Sequence, residues 1–527
     1  MKGPRALTLG GFALLAVSLV RTAWLSDDSY ITFRTADNLV RGFGPVWNTG
    51  ERVQAFTHPL WLGVFTPIYA ITGEPYYTSL ALCALLTIAA VFVLTRLAAR
   101  DEWPILVAFA ALLSSKAFVD FSTSGLENAL SHLVLVTFLW LWWNEPQGER
   151  RIRRLSLVAA LCMLNRTDLA LLVMPPLLSE MWRRGARSSL RAAAVGMLPF
   201  LAWECFSAFY YGSLVPNTAY AKLNLGFPLS DLIARGEDYF LRTLLTDPVT
   251  LPVIILAPLA IPRGRWRIDW PLAVGPLLVA IYILRIGGDF MMGRFFTASL
   301  VWSVGILAAS PLLAAGRTSG PIAATCVLLG LLAPWEPALL SGYGYSRINN
   351  VVHGVPGQEP LDGTRYISVN NVMDERRYYY ESSGLLKGRR GQQRPDSALV
   401  DDGIELRRGG ERVVVRDGIG FTGYFAGPDV HIVDTYALSD PLLARLPAQR
   451  GTRTGHYRRD LPAGYLESLS SGRNQIEDSD LAAFYDRLRL IVSGPLWSGE
   501  RLRAVTGLLL RRYDYLLEKY SARNPPG

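Results

Sequence analysis

The sequence predicts a polytopic α-helical membrane protein with a C-terminal α/β domain outside the membrane. Half of its 527 residues are hydrophobic and only 18% are charged, against roughly 25% in soluble proteins. The long apolar runs are confined to residues 1–340, whereas residues 341–527 are polar, charged and rich in glycine. We therefore predict a transmembrane domain at 1–340 and an extracytoplasmic domain at 341–527.

About eleven apolar segments are predicted to enter the membrane, although several are shorter than the roughly 20 residues that cross a bilayer core. They are residues 6–25, 77–98, 103–114, 126–143, 154–164, 168–181, 190–210, 249–262, 271–286, 295–314 and 319–338. Residues 58–72 are predicted to form a re-entrant or interfacial helix, because one more span there would move the arginine-rich loops to the outer side. For the same reason, residues 154–181 are predicted to form two short helices that break at Asn165-Arg166-Thr167.

The arginines determine the predicted orientation. With the N-terminus inside, every inside loop or its flank carries arginine, as the positive-inside rule expects. These residues are Arg96, Arg100, Arg150, Arg151, Arg153, Arg154, Arg183, Arg184, Arg187, Arg191, Arg263, Arg265, Arg267 and Arg317. The net charge of +9 therefore reflects topology and does not indicate nucleic-acid binding. The four cysteines lie in apolar segments, without the spacing of zinc ligands or of a disulfide framework.

Two adjacent aspartates, Asp27 and Asp28, directly follow the first predicted span. Carboxylates at a membrane edge predict a catalytic or ion-handling site, with a solvated loop as the alternative. Arginine and lysine hold phosphates, and a carboxylate can deprotonate a hydroxyl group. The pattern alone fits transfer from a phosphate-activated donor, and it also fits a transporter. The other outer loops bring to the same face Arg34, His58, Glu127, Arg166, Asp168, Asn217, Lys222, Asp289 and Arg294.

Several of these residues have a structural alternative. Lys222 and Arg294 are of the type that extends to a membrane interface. Glu127, near the start of a span, could complement a helix dipole, and His58 could be a loop residue or a helix cap. Arg166 and Asp168 favour function, because a charge pair inside an apolar stretch is expensive without a role.

The C-terminal region combines strand-like and helix-like segments. Residues 412–416 and 431–434 read as strands, and residues 480–489 and 500–520 read as helices. Three glycines, Gly420, Gly423 and Gly427, alternate with aromatic residues. They predict either a loop over a cavity or a cluster of surface turns.

An ordered series of motifs resembles the mycobacterial terminal arabinofuranosyltransferases, which are integral-membrane glycosyltransferases of the GT-C class. The opening block is the most specific, with Asp27-Asp28, Ile31-Thr32-Phe33-Arg34, Gly42-Phe43-Gly44-Pro45-Val46 and Asn48-Thr49-Gly50-Glu51-Arg52-Val53. It is followed by Ser124-Gly125-Leu126-Glu127, Arg166-Thr167-Asp168, Tyr210-Tyr211-Gly212, Pro216-Asn217-Thr218, Ala221-Lys222, Gly287-Gly288-Asp289, Gly293-Arg294, Asp434-Thr435, Asp440 and Gly455-His456. The resemblance spans most of the chain in order.

The resemblance implies a GT-C fold with a catalytic acidic motif in the first outer loop. It makes Asp27 and Asp28 the catalytic pair and leaves open which of them is the base. Donor-phosphate contacts would come from Arg34, Arg166, Lys222 and Arg294. Contacts to the sugar hydroxyls or to the acceptor would come from Glu127, Asp168, Asn217 and Asp289. His58 would contact the donor phosphate or the sugar. On the acceptor side it places Tyr424, Asp434, Asp440 and His456.

The expected function is that of a bacterial plasma-membrane glycosyltransferase acting on the extracytoplasmic side. It would move a sugar, expected to be D-arabinofuranose, from a polyprenyl-phosphate such as decaprenyl-phosphoryl arabinose to a cell-envelope glycan. The alternatives are a transporter or flippase of lipid-linked sugars, or a GT-C enzyme with another lipid-linked sugar or a protein acceptor. His58-Pro59 and a compact polar domain depart from the family pattern. No metal motif is evident, and a divalent cation in the outer domain stays open.

Overall fold

The computed structural model describes residues 6–98, 101–223, 225–333, 372–388, 394–452 and 454–524. These residues belong to two compact units. The first unit comprises residues 1–26, 76–200 and 229–394, and the second comprises residues 27–75, 201–228 and 395–527. The second unit thus includes two segments that precede residue 340. The predicted domain boundary itself lies outside the described residues and stays a prediction.

Helices dominate the described chain. In order they are α1 (Ala6–Thr22), α2 (Asp27–Val40), α3 (Pro59–Thr72), α4 (Pro75–Leu97), α5 (Trp103–Ser114), α6 (Lys116–Phe121), α7 (Asn128–Asn144), α8 (Glu149–Asn165), α9 (Ala170–Arg184), α10 (Ala186–Tyr210), α11 (Asn217–Leu223), α12 (Leu229–Thr246), α13 (Thr250–Leu256), α14 (Trp266–Ile286), α15 (Phe296–Ala309), α16 (Gly316–Leu332), α17 (Glu375–Ser383), α18 (Ala398–Gly409), α19 (Phe421–Ala426), α20 (Tyr465–Ser471), α21 (Ser479–Ser493), α22 (Gly499–Leu509) and α23 (Asp514–Arg523). Strands β1 (Val413–Arg416) and β2 (His431–Asp434) pair in parallel, with Val413 opposite His431.

Among the described residues, three helices are long and apolar enough to cross a membrane. They are Pro75–Leu97, Arg187–Tyr210 and Arg263–Ile286. The count rises to five if two helix pairs, Ala6–Thr22 with Asp27–Val40 and Leu229–Thr246 with Thr250–Ala260, are each a single span. These apolar helices support a membrane protein. The predicted count of about eleven segments and the orientation stay predictions.

Several predicted elements are confirmed. Helix α5 has the predicted bounds, and α8 ends at Asn165 before α9 begins at Ala170, as the predicted break requires. Residues 59–72 form a helix, and both predicted strands are present. Residues 500–520 are predicted as one helix, which is wrong. They form α22 and α23, separated near Arg511, whose φ of 58° lies in the left-handed region and ends the first helix.

Two helices are not predicted by the pattern of apolar residues. Helix α2 carries Asp27, Asp28, Arg34, Asp37 and Asn38, so its sequence reads as a polar loop, yet ten of its fourteen residues are buried. Helix α12 is amphipathic and lies between the predicted apolar segments 190–210 and 249–262. Both helices depend on tertiary contacts that cover their polar or mixed faces.

The glycine-rich aromatic segment is a helix rather than either predicted form. Residues 421–426 form α19, which packs on α2 within the second unit. The Tyr30 ring lies 4.8 Å from Phe421 and 6.0 Å from Phe425, measured between ring centroids. Because residues 421–426 are helical, with Phe421 buried and Phe425 half-buried, the predictions of a cavity loop and of a surface turn cluster are both wrong.

Candidate functional site

In the second unit, the Asp27 carboxylate lies at the N-terminus of α19. Oδ1 accepts the main-chain N–H of Phe421 at 2.6 Å, and Oδ2 accepts that of Gly420 at 3.2 Å. Asp27 is buried, whereas Asp28 is half-buried. Successive helical residues point about 100° apart, so the two carboxylates face different directions. The two aspartates therefore differ in environment although they are adjacent in sequence.

Gly420 is required for this contact. A Cβ atom at position 420 would lie 1.9 Å from the main-chain oxygen of Asp27, far inside contact distance. The close approach of the two backbones is what brings the N–H groups of residues 420 and 421 to the carboxylate. Any residue with a Cβ atom would clash at this position, which explains the glycine; the sequence pattern alone did not reveal this steric requirement.

The predicted phosphate contact Arg34 is buried and hydrogen-bonded to main-chain carbonyls. Its Nε donates to Trp47 O at 2.8 Å, its Nη2 donates to Val430 O at 2.8 Å, and its Nη1 donates to Gly423 O. Its guanidinium also lies 4.2 Å from the centre of the Trp47 ring. With a side chain only 2% exposed, Arg34 is placed to hold loops together.

Three further predicted contacts lie in the second unit. The ring of His58 is buried between Thr32 Oγ1, 2.6 Å from Nε2, and Thr57 Oγ1, 3.1 Å from Nδ1. His58 occupies the N-cap position of α3 but makes no capping hydrogen bond with its side chain. Asn217 Nδ2 donates to the main-chain oxygens of residues 437, 438 and 440. Lys222 is half-buried near the end of α11.

Two of the predicted acceptor-side residues are buried carboxylates that accept main-chain N–H groups. Asp434 accepts from Tyr436, Leu438 and Ser439, and Asp440 accepts from Leu442 and Leu443. Burial raises the pKa of Asp434 to about 7 and that of Asp440 to about 6, while the N–H donors partly oppose this rise. Both side chains therefore organise the segment that follows β2.

The other two predicted acceptor-side residues, Tyr424 and His456, have ring side chains. The hydroxyl of Tyr424 lies 3.0 Å from that of Tyr69, which donates to Asp37. The half-buried His456 packs edge-on against Tyr436, with ring centroids 4.9 Å apart. The His456–Tyr436 pair combines an aromatic ring with polar atoms, which is a surface suited to a sugar ring.

Glu51 and His431 form a further titratable pair that the site prediction did not include. Glu51 Oε2 lies 3.9 Å from His431 Nε2 and is buried without a hydrogen-bond partner among the described residues. Burial raises the pKa of Glu51 from 4.5 to about 7 and lowers the pKa of His431 from 6.5 to about 4. Each group is thereby shifted toward its neutral form. Glu51 belongs to the opening motif of the family resemblance, and that motif is the sequence signal by which Glu51 could have been identified.

In the first unit, four predicted residues form one ion-pair cluster. Glu127 is completely buried and accepts from Arg166 Nη1 at 2.8 Å and from Arg294 Nη2 at 2.9 Å. Arg166 also binds Asp168 in a bidentate manner, with Nε and Nη2 at 2.9 and 2.7 Å from the two carboxylate oxygens. The side chains of Arg166, Asp168 and Arg294 are 15%, 21% and 10% exposed. The cluster is therefore buried at Glu127 and partly open at the two arginines.

Breaks between helices position this cluster. The chain leaves α8 at Asn165, whose Nδ2 donates to the main-chain oxygen of Glu127 at 3.0 Å. Arg166 then has an extended backbone, with φ of −155°, which directs the chain away from the helix axis before a 3-10 turn at Thr167–Leu169. The backbone thus changes direction where the charges lie. A buried polar cluster of this kind needs such a break, because a continuous apolar helix would point successive side chains around its axis.

Arg294 lies on the loop between α14 and α15. Helix α14 ends at Gly287, whose φ of 81° is left-handed, and the N–H of Gly288 donates to Ile283 O. A Cβ at Gly288 would lie 2.6 Å from Cβ of Tyr239. Both glycines therefore have a structural role in the turn that carries Asp289 and Arg294.

Asp289 follows this turn and is buried. Oδ1 accepts the main-chain N–H of Phe290 at 2.9 Å, whereas Oδ2 has no hydrogen-bond partner among the described residues. Nε of Arg294 likewise has no partner within the described part of the chain. A carboxylate oxygen and an arginine N–H are thus buried in the first unit without a hydrogen-bond partner among the described residues.

A second ion cluster of the first unit was found only from the structure. Lys116 Nζ contacts both Asp120 and Asp374, at 3.0 Å from the latter, and Arg376 Nε lies 2.6 Å from Asp120 Oδ1. None of these four residues is among the predicted site residues. A main-chain hydrogen bond also joins the loop after α14 to the segment before α17, because the Met292 N–H donates to Met373 O at 2.9 Å. No local pattern signals the ion pairs of Lys116 with Asp374 and of Asp120 with Arg376, because each joins residues more than 250 positions apart.

Across the described ranges, no three His, Cys, Asp or Glu side chains are grouped as ligands of one ion.

Two curated proteins are similar to the chain. The terminal beta-(1->2)-arabinofuranosyltransferase of Mycobacterium tuberculosis is 28% identical over an alignment that covers 83% of this chain and 81% of the relative. The terminal beta-(1->2)-arabinofuranosyltransferase of Corynebacterium glutamicum is 26% identical, with 86% of this chain and 75% of the relative covered. The chain is similar to arabinofuranosyltransferases. No protein-family model and no solved structure matches it.

These comparisons confirm the predicted resemblance. Their names also confirm the prediction that the protein is an enzyme, a glycosyltransferase. Since the alignments cover more than four fifths of this chain, both units contribute to the similarity.

Proposed function

We propose that this protein moves D-arabinofuranose from a polyprenyl-phosphate donor to a cell-envelope glycan on the extracytoplasmic side of a bacterial plasma membrane. The observation that carries this proposal is the buried Glu127 carboxylate that holds two partly exposed arginines, in a chain similar to arabinofuranosyltransferases. A decaprenyl-phosphoryl arabinose-like molecule is the donor class that the family resemblance implies.

Donor-phosphate binding is assigned to Arg166 and Arg294. A guanidinium has five N–H donors, and Arg166 uses three of them for Glu127 and Asp168. Nε of Arg294 is also unused within the described chain. A phosphate can therefore bind without breaking the ion pairs that orient the arginines. Charge-assisted hydrogen bonds of this kind are roughly twice as strong as neutral ones.

Contacts to the sugar are assigned to Asp168 and Asp289. Both carboxylates belong to the first unit, and Oδ2 of Asp289 has an unfilled acceptor position. Hydroxyl groups of a furanose are suitable donors to such oxygens. Acceptor contact is assigned to the ring pair His456–Tyr436 in the second unit.

The transfer step needs a base for the acceptor hydroxyl. The hydroxyl oxygen bonds to the anomeric carbon, the bond between that carbon and the phosphate oxygen breaks, and the lipid phosphate leaves with the electron pair. The hydroxyl proton passes to a carboxylate, for which we assign Asp28. Asp27 is instead a positioning residue, because both its oxygens hold the N-terminus of α19. A base beside the acceptor suits inversion, whereas retention would need a nucleophile or internal return.

Purified protein in lipid nanodiscs tests the proposal with decaprenyl-phosphoryl-D-arabinofuranose and a synthetic arabinan acceptor. We expect transfer of arabinose, and we expect Asp28→Asn to lower kcat by about 10²- to 10⁴-fold with an unchanged melting temperature. Asp27→Asn is the matched variant, and we expect it to lower the melting temperature. Full activity of Asp28→Asn would refute the assigned base. Absence of transfer from a panel of lipid-linked pentoses would refute the enzyme proposal.

The same material separates transfer from transport. Vesicles containing the protein and a fluorescent lipid-linked pentose, but no acceptor, report donor movement between leaflets. The proposal expects no movement above protein-free vesicles. Acceptor-independent movement at a rate matching that of transfer would favour the transporter alternative.

A further inference from the structure

A groove lies between α8 and α10 in the first unit, and the proposed transfer reaction does not use it. Its volume is about 440 Å³, which is the size of a small-molecule site. It is lined by Arg150, Arg153, Arg154, Leu157, Val195 and Gly196. Its three arginines lie near the start of α8, and its apolar residues lie further along α8 and on α10.

The helical spacing explains that separation. Residues 150, 153, 154 and 157 follow the i, i+3, i+4, i+7 pattern and occupy one face of α8. The arginines are in the first turns of α8, and Leu157 follows them at 40% exposure. Arg191 and Val195 are four residues apart on α10, where Val195 is 45% exposed. A cationic end therefore leads into an exposed apolar stripe.

Close helix packing forms the floor of the groove. A Cβ at Gly196 would lie 2.4 Å from the main-chain oxygen of Arg153 and 2.5 Å from Cβ of Ser156. The missing side chain lets α10 touch α8 at this point. The groove is therefore bounded by backbone, and it does not depend on a flexible side chain.

The local charges leave a positive excess. Glu145 pairs with Arg154 at 2.6 Å and with Arg150 at 3.5 Å, and Glu149 starts α8. Arg153 makes no ion pair with any described residue, and Arg187 and Arg191 are exposed on α10. Three arginines thus line the groove, and Glu145 pairs with two of them.

We propose that this groove binds one anionic phospholipid, with its phosphate on Arg150 and Arg153 and an acyl chain along Leu157 and Val195. Charge complementarity favours the phosphate, and the exposed apolar stripe requires hydrocarbon beside it. Residues 187–210 of α10 form one of the helices that can cross a membrane, so lipid is the neighbour this face meets. In the predicted orientation the site lies at the inner side, away from the proposed transfer chemistry.

Native mass spectrometry of the delipidated protein tests this site with phosphatidylglycerol and phosphatidylcholine of the same acyl chains. We expect phosphatidylglycerol to bind about tenfold more tightly, and the double variant Arg150→Ala, Arg153→Ala to lose that preference. The matched control is Arg263→Ala, Arg267→Ala, which removes two exposed arginines elsewhere and keeps the preference. Equal binding of the two lipids to the wild type, or an equal loss in the control, would overturn the proposal.

A second variant distinguishes a lipid from a free phosphate ion and does not depend on the arginines. Val195→Trp fills the apolar part of the groove and leaves every charge in place, so we expect it to weaken phosphatidylglycerol binding several-fold. Inorganic phosphate at the same concentration should not displace the lipid. Displacement by inorganic phosphate, or unaltered lipid binding in Val195→Trp, would show that an anion alone or another surface is responsible.

Discussion

In the first unit, Arg166 and Arg294 both contact the carboxylate of Glu127. In the second unit, Arg34 contacts no carboxylate within hydrogen-bond distance among the described residues; it donates to three main-chain carbonyls and, at 3.5 Å, to the amide oxygen of Asn48. The acids differ in the same way. Asp168 binds an arginine side chain, but Asp27 and Asp434 accept main-chain N–H groups. Residues of the same type, drawn from one series of motifs, thus have different partners in the two units.

This difference separates two uses of buried charge. A side chain that satisfies main-chain groups fixes a loop, and removing it leaves those groups unpaired. A cluster of side chains that pair with one another retains spare N–H donors and can bind an anion. We therefore expect substitutions in the first-unit cluster to impair turnover most, and substitutions of Arg34 or Gly420 in the second unit to impair stability most.

Among the substitutions that compare the two units, the largest effect is expected for Glu127→Gln. The variant leaves two arginines near a neutral group, so their positions are no longer fixed, and turnover should fall by roughly 10³-fold. The measurement is kcat in the nanodisc assay, normalised to folded protein. Glu180→Gln is the control, because Glu180 is also buried and also bridges two arginines, Arg151 and Arg183. Equal losses of kcat in both variants would contradict the special role of the Glu127 cluster.

The second prediction concerns Arg34→Met. Three main-chain carbonyls lose their donor, so the free energy of unfolding should fall by about 3 kcal/mol. Thermal unfolding in nanodiscs measures it, and folded Arg34→Met protein should keep its KM for the donor. Arg41→Met is the control, because Arg41 directly follows the last residue of α2 and its exposed ion pair with Asp37 contributes about 0.5 kcal/mol. A raised donor KM with an unchanged melting temperature would restore Arg34 as a phosphate contact.

A smaller loss, about 2 kcal/mol, is expected for Gly420→Ala. Its Cβ would overlap the main chain of Asp27, so α19 must move away from α2. Gly409→Ala is the control, because no atom lies within 4 Å of a Cβ at that position. Equal melting temperatures of the two variants would show that the contact of Asp27 with α19 is dispensable.

The smallest effect is a pH dependence that Glu51→Gln should remove. Between pH 4.5 and about 7, the unfolded state ionises at Glu51 while the folded state keeps the proton. The raised pKa of Glu51 therefore contributes to the free energy of unfolding below pH 4.5, and this contribution is lost as the pH rises through 7. We expect the variant to match the wild type at pH 4.5 and to exceed it by about 2 kcal/mol or less at pH 8. His431 titrates with the opposite sign in both proteins, so the difference between them isolates Glu51. A difference that does not change with pH would contradict the raised pKa.

The sequence anticipated the elements with a strong local pattern. Apolar runs predicted α4, α5, α7 and α15, and the need to return both ends of residues 154–181 to one side predicted the break at Arg166. The two short strands also followed from their local composition. Helix α2 could not be found in this way, because its buried residues include aspartate, arginine and asparagine. Their burial is favourable only after distant main-chain groups become their partners.

By itself, the sequence determined the helical membrane class, the similarity to a glycosyltransferase family and the set of residues in which the site should be sought. Tertiary structure alone decided what each residue contacts. It paired Glu127 with Arg166 and Arg294, and it gave Asp27 to the N-terminus of α19 and left Asp28 more exposed. The physical reason is that hydropathy and local propensity are properties of neighbouring residues. The hydrogen-bond partners of Glu127 and Asp27 instead come from segments 39 to 394 residues away, whose approach depends on the packing of the whole unit.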